Sequence, residues 1–199
     1  MNLNDYRTIF VVSIFGLVLI VVIPSIFLFF PLKTVNEGFS EFWLSGNAQM
    51  IDGYPFNVDV DKEYRLSLGV CNHMGSSESY RVYAKFSNDT SLLPAINSGV
   101  GSSLPPLYEY SLFVKNEETQ DLELIFRFDD VVIKDNVLSI GNLVINGATF
   151  PVNVSVTWNS ANNGYFFEFF FELWRYNNEN NAFKFDDRFV GLFLNMTGY

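Results

Sequence analysis

Residues Glu63–Cys71 read EYRLSLGVC, and the alternation in this stretch decides the fold class. Tyr64, Leu66, Leu68 and Val70 fall on one side of an extended chain. A period of two fits a β-strand with one buried face and does not fit a helix. Tyr80–Ser87, YRVYAKFS, repeats it, with Val82, Ala84 and Phe86 opposite Arg81, Tyr83 and Lys85. The intervening His73-Met74-Gly75-Ser76-Ser77 carries turn chemistry, which predicts a hairpin.

Outward from this pair the theme continues. Upstream, EFWLSG (Glu41–Gly46) is a short strand ending at a glycine turn. Downstream, Asn88–Tyr108 is poor in charge and rich in Gly, Ser and Pro, which predicts a long surface loop over residues 88–107. Strand patterns resume in YEYSLFVKN (Tyr108–Asn116), DLELIFRF (Asp121–Phe128) and VVIKDNVLSIGNLVI, the last a hairpin about Lys134-Asp135-Asn136. FPVNVSVTW (Phe150–Trp158), YFFEFFFELWRY (Tyr165–Tyr176) and DRFVGLFLNM (Asp187–Met196) complete the set. No stretch after Pro31 carries a helical period with caps. Many short strands at a spacing of roughly ten residues point to a mainly β fold, an antiparallel Ig-like β-sandwich.

The amino-terminal end is different. From Ile9 to Phe30 the chain reads IFVVSIFGLVLIVVIPSIFLFF, without a charge. As a helix this run spans about 33 Å, against about 30 Å of bilayer hydrocarbon. It is too long for a cleavable signal peptide and lacks a small-residue cleavage site. The expected organisation is a short cytoplasmic tail (1–8), a transmembrane anchor helix through the lipid bilayer (9–32) and an extracellular β-domain (33–199). Three glycosylation sequons, at Asn88, Asn153 and Asn195, agree with that orientation and make N-linked glycans expected.

Composition bounds the partners. The 199 residues include 22 phenylalanines and 10 tyrosines, enough to build a core without disulfides, which a single cysteine excludes within the chain. A net charge of −10 argues against nucleic acid and against an anionic leaflet.

Residues that carry chemistry are few. Cys71 and His73 are the only cysteine and histidine, and a zinc site wants more ligands than they supply. The expected arrangement is a core-facing cysteine at a strand end and a turn histidine in solvent, not a nucleophilic pair. Glu168 and Glu172 share a face of one strand, but four residues separate them by about 13 Å, beyond glycosidase spacing. Asp129-Asp130 and Asp186-Asp187 read as strand-end turns. Asp59, Asp61 and Glu63 alternate but lack the glycine and terminal Glu of a calcium loop. No catalytic, cofactor or metal residue is therefore expected.

The aromatic strand carries the sharper signal. Tyr165, Phe167, Phe169, Phe171 and Leu173 face one way, while Phe166, Phe170, Trp174 and Tyr176 face the other around two glutamates. A strand apolar on both sides is central, or covered on its second face by something else. Phe166, Phe170, Trp174 and Tyr176 are accordingly candidate interface aromatics.

Phe39–Phe86, FSEFWLSGNAQMIDGYPFNVDVDKEYRLSLGVCNHMGSSESYRVYAKF, resembles the opening of the archaeal domain of unknown function 1616 family. The shared features are a Glu-Phe-aromatic strand, the Tyr54-Pro55 dipeptide, a strand ending in Gly69–His73, and a further strand carrying a Tyr. FEFFFELWRYNNENNAFKFDDRFVGLFLNM is similar to the family's last two strands. The likeness departs between about Asp129 and Asn163, where extra strands are expected. It implies an archaeal membrane protein with a β-rich domain outside and brings no known activity. The expected function is a non-enzymatic structural or adaptor ectodomain that contacts other membrane or surface subunits. The alternatives are a surface filament subunit assembling by β-strand exchange and a sugar-binding module.

Overall fold

The computed structural model describes residues 3–29, 38–46, 50, 52–95 and 97–198. The chain divides into two compact units, residues 1–37 and 38–199.

In the first unit, helix α1 (Leu3–Phe29) runs 27 residues, unbroken at Pro24. Phe10, Val12, Phe15, Leu17 and Ile20 are all exposed. Apolar residues on every side leave this helix without a polar face. Among the residues whose side chains are described here, Tyr6–Ile20 and Val22, no helix is long and apolar enough to cross a membrane. Residues 30–32, the end of the expected anchor, lie outside the described residues.

The second unit is mainly β. Its strands are β1 (Phe39–Ser45), β2 (Asn57–Asp59), β3 (Tyr64–His73), β4 (Glu78–Ser87) and β5 (Tyr108–Val114). β6 (Thr119–Lys134), β7 (Val137–Ile145), β8 (Ala148–Thr157), β9 (Tyr165–Asn177) and β10 (Ala182–Gly198) follow. One sheet has the order β1-β3-β6-β7-β8 and is antiparallel throughout. The other has the order β2-β10-β9-β4-β5, with only β2 parallel to its neighbour. Phe126 and Phe128 of the first sheet meet Phe169 and Phe86 of the second at ring-centroid distances of 5.1 and 5.5 Å, so the two sheets share one aromatic core. The class is a β-sandwich.

The alternation in Glu63–Cys71 is borne out. Leu66, Leu68 and Val70 are core residues of β3, and Val82, Ala84 and Phe86 are core residues of β4. The expected hairpin between them is not. β3 pairs with β1 and β6, whereas β4 pairs with β5 and β9, so the turn carries the chain from one sheet to the other. Buried Asn72 fastens this crossing. Its amide nitrogen donates to the carbonyls of Ser76 (2.8 Å) and Val114 (2.9 Å), and its amide oxygen accepts from Met74 N–H (2.9 Å) and the Tyr80 hydroxyl (3.2 Å). Alternation reports which face is buried; it is silent on which sheet a strand joins.

Two-residue hairpin turns occur where two consecutive residues take positive φ. Asp135-Asn136 joins β6 to β7 as expected, and Asn146-Gly147 joins β7 to β8. These strands fill the region about 129–163 and form the outer half of the first sheet. Neither aspartate pair lies at a strand end. Asp130 sits within β6 at φ 56° opposite Gly141, where an added Cβ would meet its carboxylate. Asp186-Asp187 forms a bulge inside β10, two residues that β9 does not match.

Candidate functional site

The β1–β3 ladder sets Glu41 opposite Cys71 and Phe39 opposite His73. Cys71 and His73 therefore share the outer face of the first sheet, the face opposite Val70. The expectation of a core-facing cysteine is corrected by this parity. The thiol is nonetheless buried, on a face where Trp43 lies so close over Gly69 that no Cβ would fit there. Nor does His73 point away into solvent. Its ring stacks on Phe39, with centroids 4.7 Å apart, and folds back along the strand so that Nε2 stands 3.2 Å from the Cys71 Sγ. On the far side of the ring, Nδ1 lies 2.7 Å from a carboxylate oxygen of Glu117, and Glu41 approaches Nε2 at 3.6 Å.

Glu117 comes from the tight turn between β5 and β6 and holds φ at 61°. That turn is fixed beside His73 because Glu117 N–H donates to the Asn72 carbonyl at 2.7 Å, and Asn72 N–H to that of Glu118 at 3.1 Å. The Glu117 contact assigns the imidazole proton to Nδ1, leaving Nε2 as an acceptor toward the thiol. Thus the Cys71–His73 neighbours that strand geometry is expected to hold apart are brought into contact by the ring rotamer.

Among the described residues, Glu41, Cys71 and His73 each offer a ligand atom within 4.8 Å of the others. Asp59, Asp61 and Glu63 are not gathered in this way. Asp59 pairs with Lys62 (3.0 Å), Glu63 with Arg65 (3.6 Å), and Asp61 occupies a turn at φ 60°.

On β9 the core face is as expected: Tyr165, Phe167, Phe169, Phe171 and Leu173 are all buried. The opposite face, which carries the candidate interface aromatics, is covered over much of its length. Phe170 is fully buried there, Trp174 lies under the backbone of Gly101, and Tyr176 packs edge-on against Phe183 at 5.3 Å. Only Phe166 joins an exposed cluster, stacking on Phe193 at 5.0 Å with Phe56 beside both. Phe56 and Phe193 are 50% and 47% exposed, and both were missed in the sequence. The parity of β10, with Leu192 and Leu194 in the core, places Phe193 outward and was the available signal.

The covering element is the 88–107 loop. Ser102 N–H donates to Glu172 at 2.6 Å, and Lys85 bonds both the Ser102 carbonyl and the Glu172 carboxylate at 2.8 Å. The Trp174 indole N–H adds a third donor to that carboxylate at 2.9 Å. The side chains of Lys85 and Glu172 are 3% and 0% exposed. Gly99 N–H to Asp187 (2.7 Å) and Leu107 N–H to the Ala84 carbonyl (2.8 Å) complete the closure.

Glu168, on the same face, is only half-buried, and loss of water around it pushes its carboxyl above the ordinary range. A raised folded value means that the folded state holds the proton more tightly than the unfolded chain. Its ionisation therefore subtracts stability as pH climbs from the ordinary carboxylate range through the raised value. Glu168→Gln is expected to raise the urea midpoint relative to wild type at about pH 8 while the difference shrinks toward about pH 4.

An apolar groove of about 520 Å³ runs between β1 and β10, lined by Phe42, Tyr54, Phe56, Val190, Leu192 and Phe193. Tyr54 closes one side by donating its hydroxyl to the Leu44 carbonyl at 2.6 Å. Among the described residues, β10 has a strand partner on this side only from Asn195 to Gly198.

Two sequons are accessible. Asn88 is exposed, its amide donating to the Ser155 carbonyl at 2.6 Å, and Asn153 is exposed on edge strand β8 at φ 48°. Asn195 is 4% exposed. Its oxygen accepts from Tyr165 N–H (3.0 Å) and its nitrogen donates to Asn57 (3.1 Å), so the folded domain has no room for a glycan there.

No family model matches the chain, and no curated protein matches it. Among solved structures, a chain of the complex between zinc 2-glycoprotein and prolactin inducible protein from human seminal plasma is similar at 7% identity and TM-score 0.35, over 83% of this chain and 100% of that one. The β-glucosidase of Listeria innocua is similar with isofagomine at 9% identity and TM-score 0.28, over 59% of this chain and 16% of that one. With gluconolactone the figures are 7% and 0.29, over 80% and 17%. At these scores none of them carries an argument about this chain.

Proposed function

We propose that this chain is a membrane-anchored surface protein whose β-sandwich serves as a non-enzymatic adaptor, held by residues 9–32 and projecting outside the cell. The observation that carries the anchor is α1 itself: a helix of 27 residues, about 40 Å long against about 30 Å of hydrocarbon, on which Ile9, Phe10, Val12, Phe15, Leu17 and Ile20 are exposed. Exposure of the Asn88 and Asn153 sequons supports the outward orientation, as does the resemblance to the archaeal domain of unknown function 1616 family. The Ig-like label belongs to the same reading. The order β10-β9-β4-β5 follows the GFCC′ order of a variable-type sheet, and β1-β3 stand as A and B; the β6-β7-β8 meander is this chain's own.

The adaptor surface is the groove between β1 and β10, with the Phe56–Phe166–Phe193 cluster at its rim. Its partner is an extended apolar segment of another membrane subunit, adding a strand along the open edge of β10 from Arg188 to Leu194. The expected result is recovery in the carbonate-washed membrane fraction, with partner subunits retained on gentle detergent extraction. Phe193→Asp is expected to stay in the membrane fraction and lose those partners. Recovery of the wild-type chain from the soluble fraction overturns the anchor; unchanged partners in Phe193→Asp overturn the surface.

A further inference from the structure

We propose that Cys71, His73 and Glu41 bind a zinc-class transition-metal ion, with Glu117 as the carboxylate that orients the histidine. The reading begins with the register of the sheet. Glu41 and Cys71 are direct cross-strand partners and His73 shares their face, so three side chains of the ligand types zinc accepts converge by construction. Sγ to Nε2 is 3.2 Å and Nε2 to the Glu41 oxygen 3.6 Å. Ligand atoms about 2.0–2.3 Å from a tetrahedral ion stand roughly 3.3–3.8 Å from each other, so these two separations lie close to those around a shared ion, and all three atoms lie within 4.8 Å of one another.

The outer contact agrees. A metal-bound histidine almost always donates its second N–H to a carboxylate, which fixes the tautomer and the ring. Glu117 supplies that acceptor at 2.7 Å, from a backbone position at positive φ that the buried Asn72 holds in place. Phe39 packs flat on the ring. With Nδ1 protonated, Nε2, the Glu41 carboxylate and the Cys71 sulfur present three electron-rich atoms to one point. A thiolate there selects a borderline or soft ion over calcium or magnesium, and binding releases the thiol proton to solvent. Three protein ligands, with Glu41 and Glu117 exposed, leave a fourth position open to water or a small anion.

A thiol nucleophile is the competing use of the same residues. Burial of Cys71 disfavours it, because a nucleophilic sulfur must reach its substrate. The competing occupant of the gap is a second imidazole proton, giving a cation between two carboxylates.

The test uses the full chain in detergent, stripped with chelator and titrated with Co²⁺. One equivalent is expected to produce a thiolate-to-cobalt charge-transfer absorption that Zn²⁺ displaces and Cys71→Ser abolishes. Because the thiol is buried, two exposed positions give independent readouts. Glu117→Gln is expected to weaken Zn²⁺ binding about 10–100-fold, and Glu41→Gln by at least as much, with unchanged thermal unfolding of the metal-free chain. Absence of the charge-transfer band, or Zn²⁺ affinity unchanged in both glutamate variants, overturns the site in favour of the protonated histidine.

Discussion

Glu172→Ala is expected to lower folding stability by about 3–5 kcal/mol, read as a fall in the denaturant midpoint, with faster proteolysis inside the 88–107 loop. The size follows from what the carboxylate holds. It receives Lys85, the Trp174 indole and Ser102 N–H in a site closed to water, and its loss leaves a buried ammonium with only the Ser102 carbonyl. A domain of this kind has about 5–15 kcal/mol in total, so a single change of this size removes a large part of it. Lys85→Ala exposes the same imbalance with the opposite sign. The double variant Lys85→Met with Glu172→Leu removes both charges together and is expected to recover most of the loss, since desolvation offsets much of a buried pair's attraction. A single-variant cost below about 1 kcal/mol would mean that the pair is hydrated in solution.

The same pair explains where sequence reading succeeds and where it stops. The inward face of β9 follows from period-two alternation alone, because burial there is set by residues of the strand and the opposite sheet. Burial of its outward face is set by residues about seventy positions away in the chain. Glu172 is a strong polar signal in the sequence, and nothing local indicates that Gly101 and Ser102 will fold over it. Phe170 and Trp174 are interface candidates on parity and covered residues in the fold for that reason. Cys71 is a different case. The alternation that assigns Leu66, Leu68 and Val70 to the core already assigns Cys71 to the other face, so its outer position was legible. Its place beside Glu41, and the bond of His73 to Glu117, were not, because they depend on which elements flank β3. Asn195 shows the limit of motif reading: the triplet is intact, yet its buried side chain accepts from the Tyr165 N–H and donates to the Asn57 side-chain oxygen.

Phe169→Ala and Phe193→Ala test the two faces of the second sheet against each other. Phe169 is fully buried, with ring centroids 4.7 Å from Phe171, 5.1 Å from Phe126 and 6.3 Å from Phe86. Truncation leaves a cavity that three neighbouring rings cannot close by rotation, because each packs against further core residues. A cost of about 3–5 kcal/mol is expected, with no change in the denaturant dependence if the sheets stay docked. Phe193 is 47% exposed on the outward side of β10, where, among the described residues, its ring packs with Phe56 and Phe166. Its truncation is expected to cost about 1 kcal/mol or less in the isolated chain and to weaken partner retention instead. The contrast separates packing from recognition within one sheet. If Phe193→Ala proves as destabilising as Phe169→Ala, the aromatic cluster is part of the core and the groove between β1 and β10 loses its standing as a binding surface.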